Sequence, residues 1–571
     1  MRLKYFLIGF LAWLTFSTNS SFADVLPKSG VFTVEYTDIS YSGGLEPRIV
    51  RSYSSNLAYK GIFGRGWAIE YEVSLETKDD KIVIHDQFEA RDYFFTPDKE
   101  SKVYVPMMVN AILRAAKADT DRNSPSKEGK AVSLSQQASR QSDDSLQLKL
   151  LNDPELRETY WQKYLKLKLV SFLDLPLRSN FCGCQRLQRV EGGYRRELSG
   201  HFELFDNAGR LIKIFNNNNN WVEISYDKDG KISRISDNYK RTLNLIYDPA
   251  NDLVRRIEGS QGTAQTPNRL AEYIYGMRGE LIRSKGDDGE IYEYQYDFNY
   301  KITRIIHKDK TTIEITYNED MNGRVRMIKD RDGTTTQYRY SIDKANPLHI
   351  TITLDTFGTD RKVISKATYD YISEKNQHGD EITVKKIVNI GGDITETEYD
   401  LTTSFPKSVR RGSEETKFEY WDGLVTKKIT SVQVTELEYD KGVRKVARVI
   451  SYPMGKPTEN KWSEFKYDEK GNLLLARNSD GKLVKVDYDY YGRVATLADQ
   501  DKRILQFKYN EDSKPIEITD ASLGTIKITY TERGEISKVD SPSGRKIALQ
   551  VTSAFQNLLD VIRPAGVTFS F

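Results

Sequence analysis

Apolar and polar residues alternate along most of this chain in short runs, and a cluster of Gly, Asp, Asn or Ser closes each run. Residues 226–248, YDKDGKISRISDNYKRTLNLIYD, show the pattern: Leu243, Leu245 and Tyr247 alternate with Thr242, Asn244 and Ile246. Side chains two apart share one face of a strand, so the first three can point into a core. Ile232–Ile235 is predicted as the preceding strand, with a turn from Asp227 to Gly230 before it. Asp-x-x-Gly suits that turn, because Asp bonds nearby backbone and Gly accepts the positive φ of a bulged hairpin. One hairpin cannot bury its apolar face alone, so the pattern demands neighbours.

Repetition supplies them. Tyr226 and Tyr247 stand 21 residues apart and follow Phe205; Tyr275, Tyr296 and Tyr317 form a second series, and Tyr467, Tyr488, Tyr509 and Tyr530 a third at the same step. Many units carry a Gly-basic-aliphatic tag after the tyrosine, as in Gly209-Arg210-Leu211, Gly230-Lys231-Ile232 and Gly492-Arg493-Val494; Gly471-Asn472-Leu473 keeps the glycine and the aliphatic residue. Tyr340, Tyr369, Tyr399, Tyr420 and Tyr439 are spaced less regularly, which longer turns or degenerate units accommodate.

These tagged units, Tyr226-Asp227-x-x-Gly230 foremost, resemble the YD-repeat, or RHS-repeat, family across roughly residues 190 to 550. The resemblance implies a sheet of consecutive hairpins that coils into a hollow shell, as in toxin-complex C components and teneurins. The expected fold is all-β: a long antiparallel sheet curling into a partial shell, with an N-terminal β module and a small helical insertion. The expected divisions are a signal peptide at 1–23, a β module at 24–105, an insertion and linker at 106–190, and the repeats at 191–571.

Residues 1–23 place Arg2 and Lys4 before an apolar run and end Ser21-Phe22-Ala23, the form of a cleaved secretory signal. In the module, Arg51-Ser52-Tyr53 and Gly61-Ile62-Phe63-Gly64-Arg65-Gly66-Trp67 resemble the N-terminal module of RHS proteins, which covers the first edge of the repeats. Gly64 and Gly66 permit tight turns that drop Phe63 and Trp67 into a core. In the insertion, Pro106–Ala118 reads as a helix, Lys117–Asp144 as a polar, mobile stretch, and Asp153-Pro154-Glu155 as a helix start. Leu156, Tyr160 and Tyr164, with Trp161 beside them, make a stripe expected to dock on the sheet, or to form a lid or partner arm. Cys182 and Cys184 are expected as a strained local disulfide or two free thiols.

Composition narrows the function. The 85 basic and 82 acidic residues leave a formal charge of +3 and are interleaved, so no long-range field draws the chain to nucleic acid. After residue 23 no stretch is apolar enough to cross a membrane as a helix. No HExxH, GxSxG or phosphate-binding glycine loop is present, and the five histidines lack ligand spacing. Catalytic, cofactor-binding and metal residues are therefore expected to be none; Asp227-Lys228-Asp229-Gly230 lacks the further ligands of a calcium loop, and Asn216–Asn220 reads as a roomy turn. The chain is expected to be a secreted or envelope scaffold that binds a protein or glycan partner at the cell surface. The alternative is a truncated or companion RHS shell around a toxin cargo encoded elsewhere. The alternating tail Val567, Phe569, Phe571 is expected to fold back on the N-terminal module or pair with a partner chain.

Overall fold

The computed structural model describes residues 22–41, 45–78, 81–98, 104–123, 145–164, 176–179, 185–198, 200–261, 267–319, 323–376, 379, 381–501, 503–511, 513–520, 524–531 and 536–540. Its dominant element is one antiparallel sheet of 36 strands, from Val73–Lys78 to Ile536–Asp540, each strand paired with its neighbour in sequence. Only the helical insertion interrupts this order, and Arg91–Pro97 pairs across it with Leu177–Ser179. Hairpins in series are what short alternating runs between two-sided turn signals produce.

The sheet coils without closing into a barrel. Its first strand returns to touch the eighth through one bridge, Ser74 to Arg210, where the Leu75 amide donates to the Gly209 carbonyl at 2.8 Å. Farther along, turns meet residues about twenty strands earlier: Asp422 reaches Arg178 and Arg186 on strands, and Asn472 reaches Asn218 in a turn. The band thus winds past one full turn, and the second pass sits on the rim of the first. The inherited twist of adjacent strands supplies the curl.

A separate four-stranded sheet, Phe22–Leu26, Val31–Ser40, Arg48–Ser54 and Trp67–Ile69, lies inside the first pass. Its Phe32, Val34, Ile39, Tyr53 and Trp67, with Phe63 from the loop before Trp67, share one buried cluster with Leu243, Ile257, Tyr273, Tyr294, Ile302 and Ile315 of the long sheet. It fills the concavity rather than capping an edge alone. Residues 73–97 of the expected N-terminal module are the first three strands of the long sheet. Among the described residues the second pass holds smaller clusters, such as Ala476, Val484, Val486 and Leu497.

The insertion contains helices at Tyr104–Asn123 and Pro154–Tyr164. Asp153 caps the second, accepting from the amides of Glu155 and Leu156 at 3.1 and 3.0 Å. The expected stripe turns toward the other helix instead of the sheet: Trp161 is buried with Met108, Val109, Ile112 and Leu150. A two-helix pair that covers its own apolar side has no need of the sheet. The signal segment up to residue 21, Cys182 and Cys184, most of the polar stretch and the tail 567–571 lie outside the described residues.

Candidate functional site

Every tyrosine of the regular series sits where its strand bulges. The register shifts at Tyr226, Tyr247, Tyr275, Tyr296, Tyr317, Tyr467, Tyr488, Tyr509 and Tyr530. The following Asp builds the turn: Asp227 Oδ1 accepts from the amides of Asp229 and Lys231, both at 2.9 Å, and Asp489 repeats this with Tyr491 and Arg493. Gly230, Gly471 and Gly492 take the positive φ that closes it.

Each half-buried phenol then reaches back to an earlier unit. Tyr226, Tyr247, Tyr296, Tyr317, Tyr488, Tyr509 and Tyr530 donate to the carbonyls of Leu211, Ile232, Leu281, Ile302, Leu473, Val494 and Pro515, at 2.7–3.0 Å. Tyr467 does the same to Val446 at 2.7 Å. The acceptor holds the position of the tag's aliphatic residue, filled by proline at Pro515. The basic residue before it lies over the same ring: Arg210 over Tyr226 at 4.9 Å, Lys231 over Tyr247 at 5.5 Å and Arg493 over Tyr509 at 4.6 Å. The tag and the next tyrosine are one bonded unit. Burial, reinforced by the Asp468 carboxylate nearby, pushes the Tyr488 phenol up to about 12, so it remains a donor at any physiological pH.

The bulge also turns the tag's aliphatic amide out of the ladder, and the N-terminal sheet takes several of these amides. Val254 donates to the Ile62 carbonyl at 2.9 Å, Val325 to Gly30 at 2.8 Å and Ile302 to the Tyr53 hydroxyl at 3.0 Å. The Tyr53 hydroxyl in turn donates to the Tyr300 carbonyl at 2.9 Å. Gly64, at φ +95°, lies so close to the Gly279 carbonyl that a Cβ would come within 2.5 Å of its oxygen.

Beneath this contact Arg51 is fully buried. It pairs with Asp38, with Nη2 at 2.9 Å from Oδ1, and donates to Ser284 Oγ at 2.9 Å. Tyr273 donates to Asp38 Oδ2 at 2.7 Å, and the guanidinium sits 4.7 Å over Trp67 and 5.4 Å over Tyr36. Burial works against the charge, yet Asp38, Tyr294 and Tyr273 together outweigh it, and the Arg51 pKa is held above its ordinary value. Trp67 is buried too, donating its indole N–H to the Tyr296 hydroxyl at 3.0 Å. Glu72 buckles the Gly61–Gly66 hairpin, accepting from the amides of Ile62 and Ile69, both at 2.9 Å, and from the Tyr59 hydroxyl at 3.1 Å. Burial, only partly offset by these donors, raises its carboxyl to about 7.

A polar seam joins the two passes. Asn218 and Asn472 exchange amide hydrogen bonds at 2.9 and 2.8 Å, while Asn219 and Asn220 donate to the carbonyls of Tyr490 and Tyr491 at 3.1 and 3.0 Å. The asparagine run is thus a latch as well as a turn. Asp422 pairs with Arg178, Arg186 and Arg444, and Lys28 bridges to Glu381 at 2.8 Å.

The candidate residues therefore fall into two groups. Arg51, Tyr53, Gly64, Gly66 and Trp67 converge on the seat of the inner sheet, and the YD residues form a ladder along the coil. Sequence reasoning missed Asp38, Tyr273 and Ser284, which meet across more than 200 residues, and Glu72, whose partners Tyr59, Ile62 and Ile69 are near in the chain but form no motif. It also read Asn216–Asn220 as a turn without its partners. No group of three or more metal-ligating side chains occurs among the described residues.

Two family models match the chain: a domain of unknown function, DUF6531, over residues 24–94, and the Teneurin YD-shell over residues 452–570. No curated protein matches it. Among solved structures, the crystal structure of TcdB2-TccC3-TEV aligns over 94% of this chain and 29% of its own, at 11% identity and a TM-score of 0.40. The Tc holotoxin pore of Photorhabdus luminescens aligns over 90% and 34%, at 11% identity and a TM-score of 0.26. The chain therefore spans about a third of the length of these structures. The tyrosine–carbonyl ladder recurring through the coil and the YD-shell match at its far end together support placing this chain among the RHS/YD-repeat proteins.

Proposed function

We propose that this protein is an exported, non-enzymatic YD-repeat scaffold that binds a protein or glycan partner at the cell surface or in the envelope. One observation carries the reading. The groups that would otherwise suggest a working interior, namely Arg51, Asp38, Trp67 and Tyr273, are consumed in seating the inner sheet inside the coil. The outer face is left for recognition, on a frame stiffened by its own ladder. Incubating purified protein with whole cells and with immobilised glycans tests this; saturable binding is expected, and none to either surface overturns it.

The second reading is a shell around a cargo encoded elsewhere. It draws on the inner face beyond the N-terminal sheet, where Lys386 lies over Tyr369 and Tyr371 at 5.8 and 5.6 Å. Burial holds that lysine below its ordinary pKa. Co-expression with the neighbouring reading frame discriminates: a product that co-purifies and is shielded from protease favours the shell.

A further inference from the structure

The outer face of the coil is a lattice of cross-strand ion pairs. Lys285 and Glu272, Arg304 and Glu314, Lys427 and Glu436, Arg477 and Glu464, and Lys508 and Glu517 all pair there at 4.0 Å or less. Cross-strand pairs of opposite charge are the ordinary covering of a wet sheet face.

In its middle the lattice has a gap in its Lys and Arg pairs, where His349 meets Asp370 at 2.8 Å instead. Arg339–Asp355 stands on one side of the gap and Lys385–Glu396, at 2.5 Å, on the other. Between them the outward residues are His349, Thr351, Thr368, Asp370, Ile387, Asn389 and Ile394, lining an open depression of about 350 Å³. Register sets them in rows: Thr351, Asp370 and Ile387 lie side by side, as do Thr368, Asn389 and Ile394.

Polar and apolar groups divide within the depression. Asp370 Oδ1 is held by His349 Nε2 at 2.8 Å and Thr351 Oγ1 at 2.7 Å, which fixes the carboxylate and leaves Oδ2 without a partner among the described residues. Asn389 uses Oδ1 for the Gly392 amide at 3.0 Å, leaving both Nδ2 hydrogens, and the Thr368 hydroxyl is likewise unbonded among the described residues. Beside these stand Ile387 and Ile394, the latter 51% exposed.

We propose that this depression binds a neutral saccharide. A sugar ring offers hydroxyls along its edge and a C–H face across its plane, matching a fixed carboxylate oxygen, an amide donor and a hydroxyl set beside two isoleucines. A charged ligand would meet the flanking ion pairs instead, already satisfied by one another. The breadth of the site suits an internal segment of a chain rather than one enclosed monosaccharide. This inference rests on the scaffold reading above and names the partner class for one part of its outer face.

Calorimetry of the full-length protein against maltohexaose, cellohexaose, chitohexaose, mannohexaose and a heparin-derived hexasaccharide tests it. At least one neutral hexasaccharide is expected to bind. Asn389→Ala and Asp370→Ala should each weaken that binding by about tenfold or more, the loss of a hydrogen bond to a fixed polar group. Glu314→Gln, on the lattice, should leave it unchanged. Matching circular dichroism melts for Asn389→Ala and the parent show that the loss is local. The proposal is overturned if no neutral hexasaccharide binds at about 10 mM, a concentration that reaches millimolar affinities. It is equally overturned if only the heparin fragment binds, or if Asn389→Ala binds as the parent does. Whole-cell binding that survives Asn389→Ala would leave the scaffold reading standing and sink this site alone.

Discussion

Tyr488 donates its phenol to the carbonyl of Leu473 at 3.0 Å, tying each repeat to the one before it. The bond spans a hairpin and falls at a bulge, where a carbonyl has left the ladder and needs a donor. Tyr488→Phe removes it while keeping the ring, and should cost about 1 kcal/mol in a denaturant melt. Tyr488→Ala also removes the packing on Val486 and Leu497 and should cost about 2–4 kcal/mol, the lower part of a core deletion because the ring is half-buried. Equal losses for the two variants would show that the ring contributes nothing.

Proline tests the geometry of the bulge amide. Pro406 and Pro515 already occupy the position opposite the repeat aromatic, paired with Tyr399 and Tyr509. Proline has no amide to offer a ladder, so it is tolerated where none is required. Val494→Pro should therefore change stability by less than about 1 kcal/mol. Ile302→Pro deletes the donor to Tyr53 and should cost about 1–3 kcal/mol, because the buried hydroxyl oxygen loses the one bond it accepts while still donating to Tyr300. A reversed order of the two would refute the outward-turned amide.

Arg51→Met should destabilise the protein by about 3–5 kcal/mol, because it leaves Asp38 buried without its cation. The double variant Arg51→Met with Asp38→Leu should recover part of that loss. Thermal melts of the two single variants and the double give the coupling directly.

Burial, reinforced by Glu89 nearby, raises the carboxyl of Asp86 from 3.8 to about 6. The folded state then holds a proton that the unfolded state releases, so this contribution is complete below about pH 4 and is lost as pH rises through about 6. Asp86→Asn mimics the protonated form. It should match the parent near pH 4 and be more stable by up to about 2–3 kcal/mol at pH 8. Parallel pH series of urea melts provide the comparison; curves that stay superimposed would rule out the shift.

The seam should be the weakest joint between the passes, since its contacts are mainly amide pairs and ion pairs. Asp422→Ala leaves Arg178, Arg186 and Arg444 without their shared carboxylate. Hydrogen exchange in that variant should quicken along Glu414–Trp421 and Leu424–Ile429 while Arg241–Tyr247 stays protected. Uniform exchange across all three strands would mean that the passes unfold as one.

Strand identity, turn position and the inward face were legible in the sequence because each is local. Alternation places Leu243 and Leu245 together whatever the rest of the chain does, and Asp227 with Gly230 closes its turn using atoms within four residues. The role of Gly61–Trp67 was legible as packing, because glycines beside large rings have few other uses. What the tyrosine bonds to was not, since the alternation records a face but not the carbonyl exposed by a bulge. Asp38 and Arg51 illustrate the harder case: nothing local marks an acid and a base on neighbouring strands as buried, and Tyr273 and Ser284, over 200 residues away, complete the pair's enclosure. Asn218 and Asn472 stand 254 residues apart. The coil's pitch brings them together, and that pitch accumulates from small twists across many strands that no single hairpin encodes.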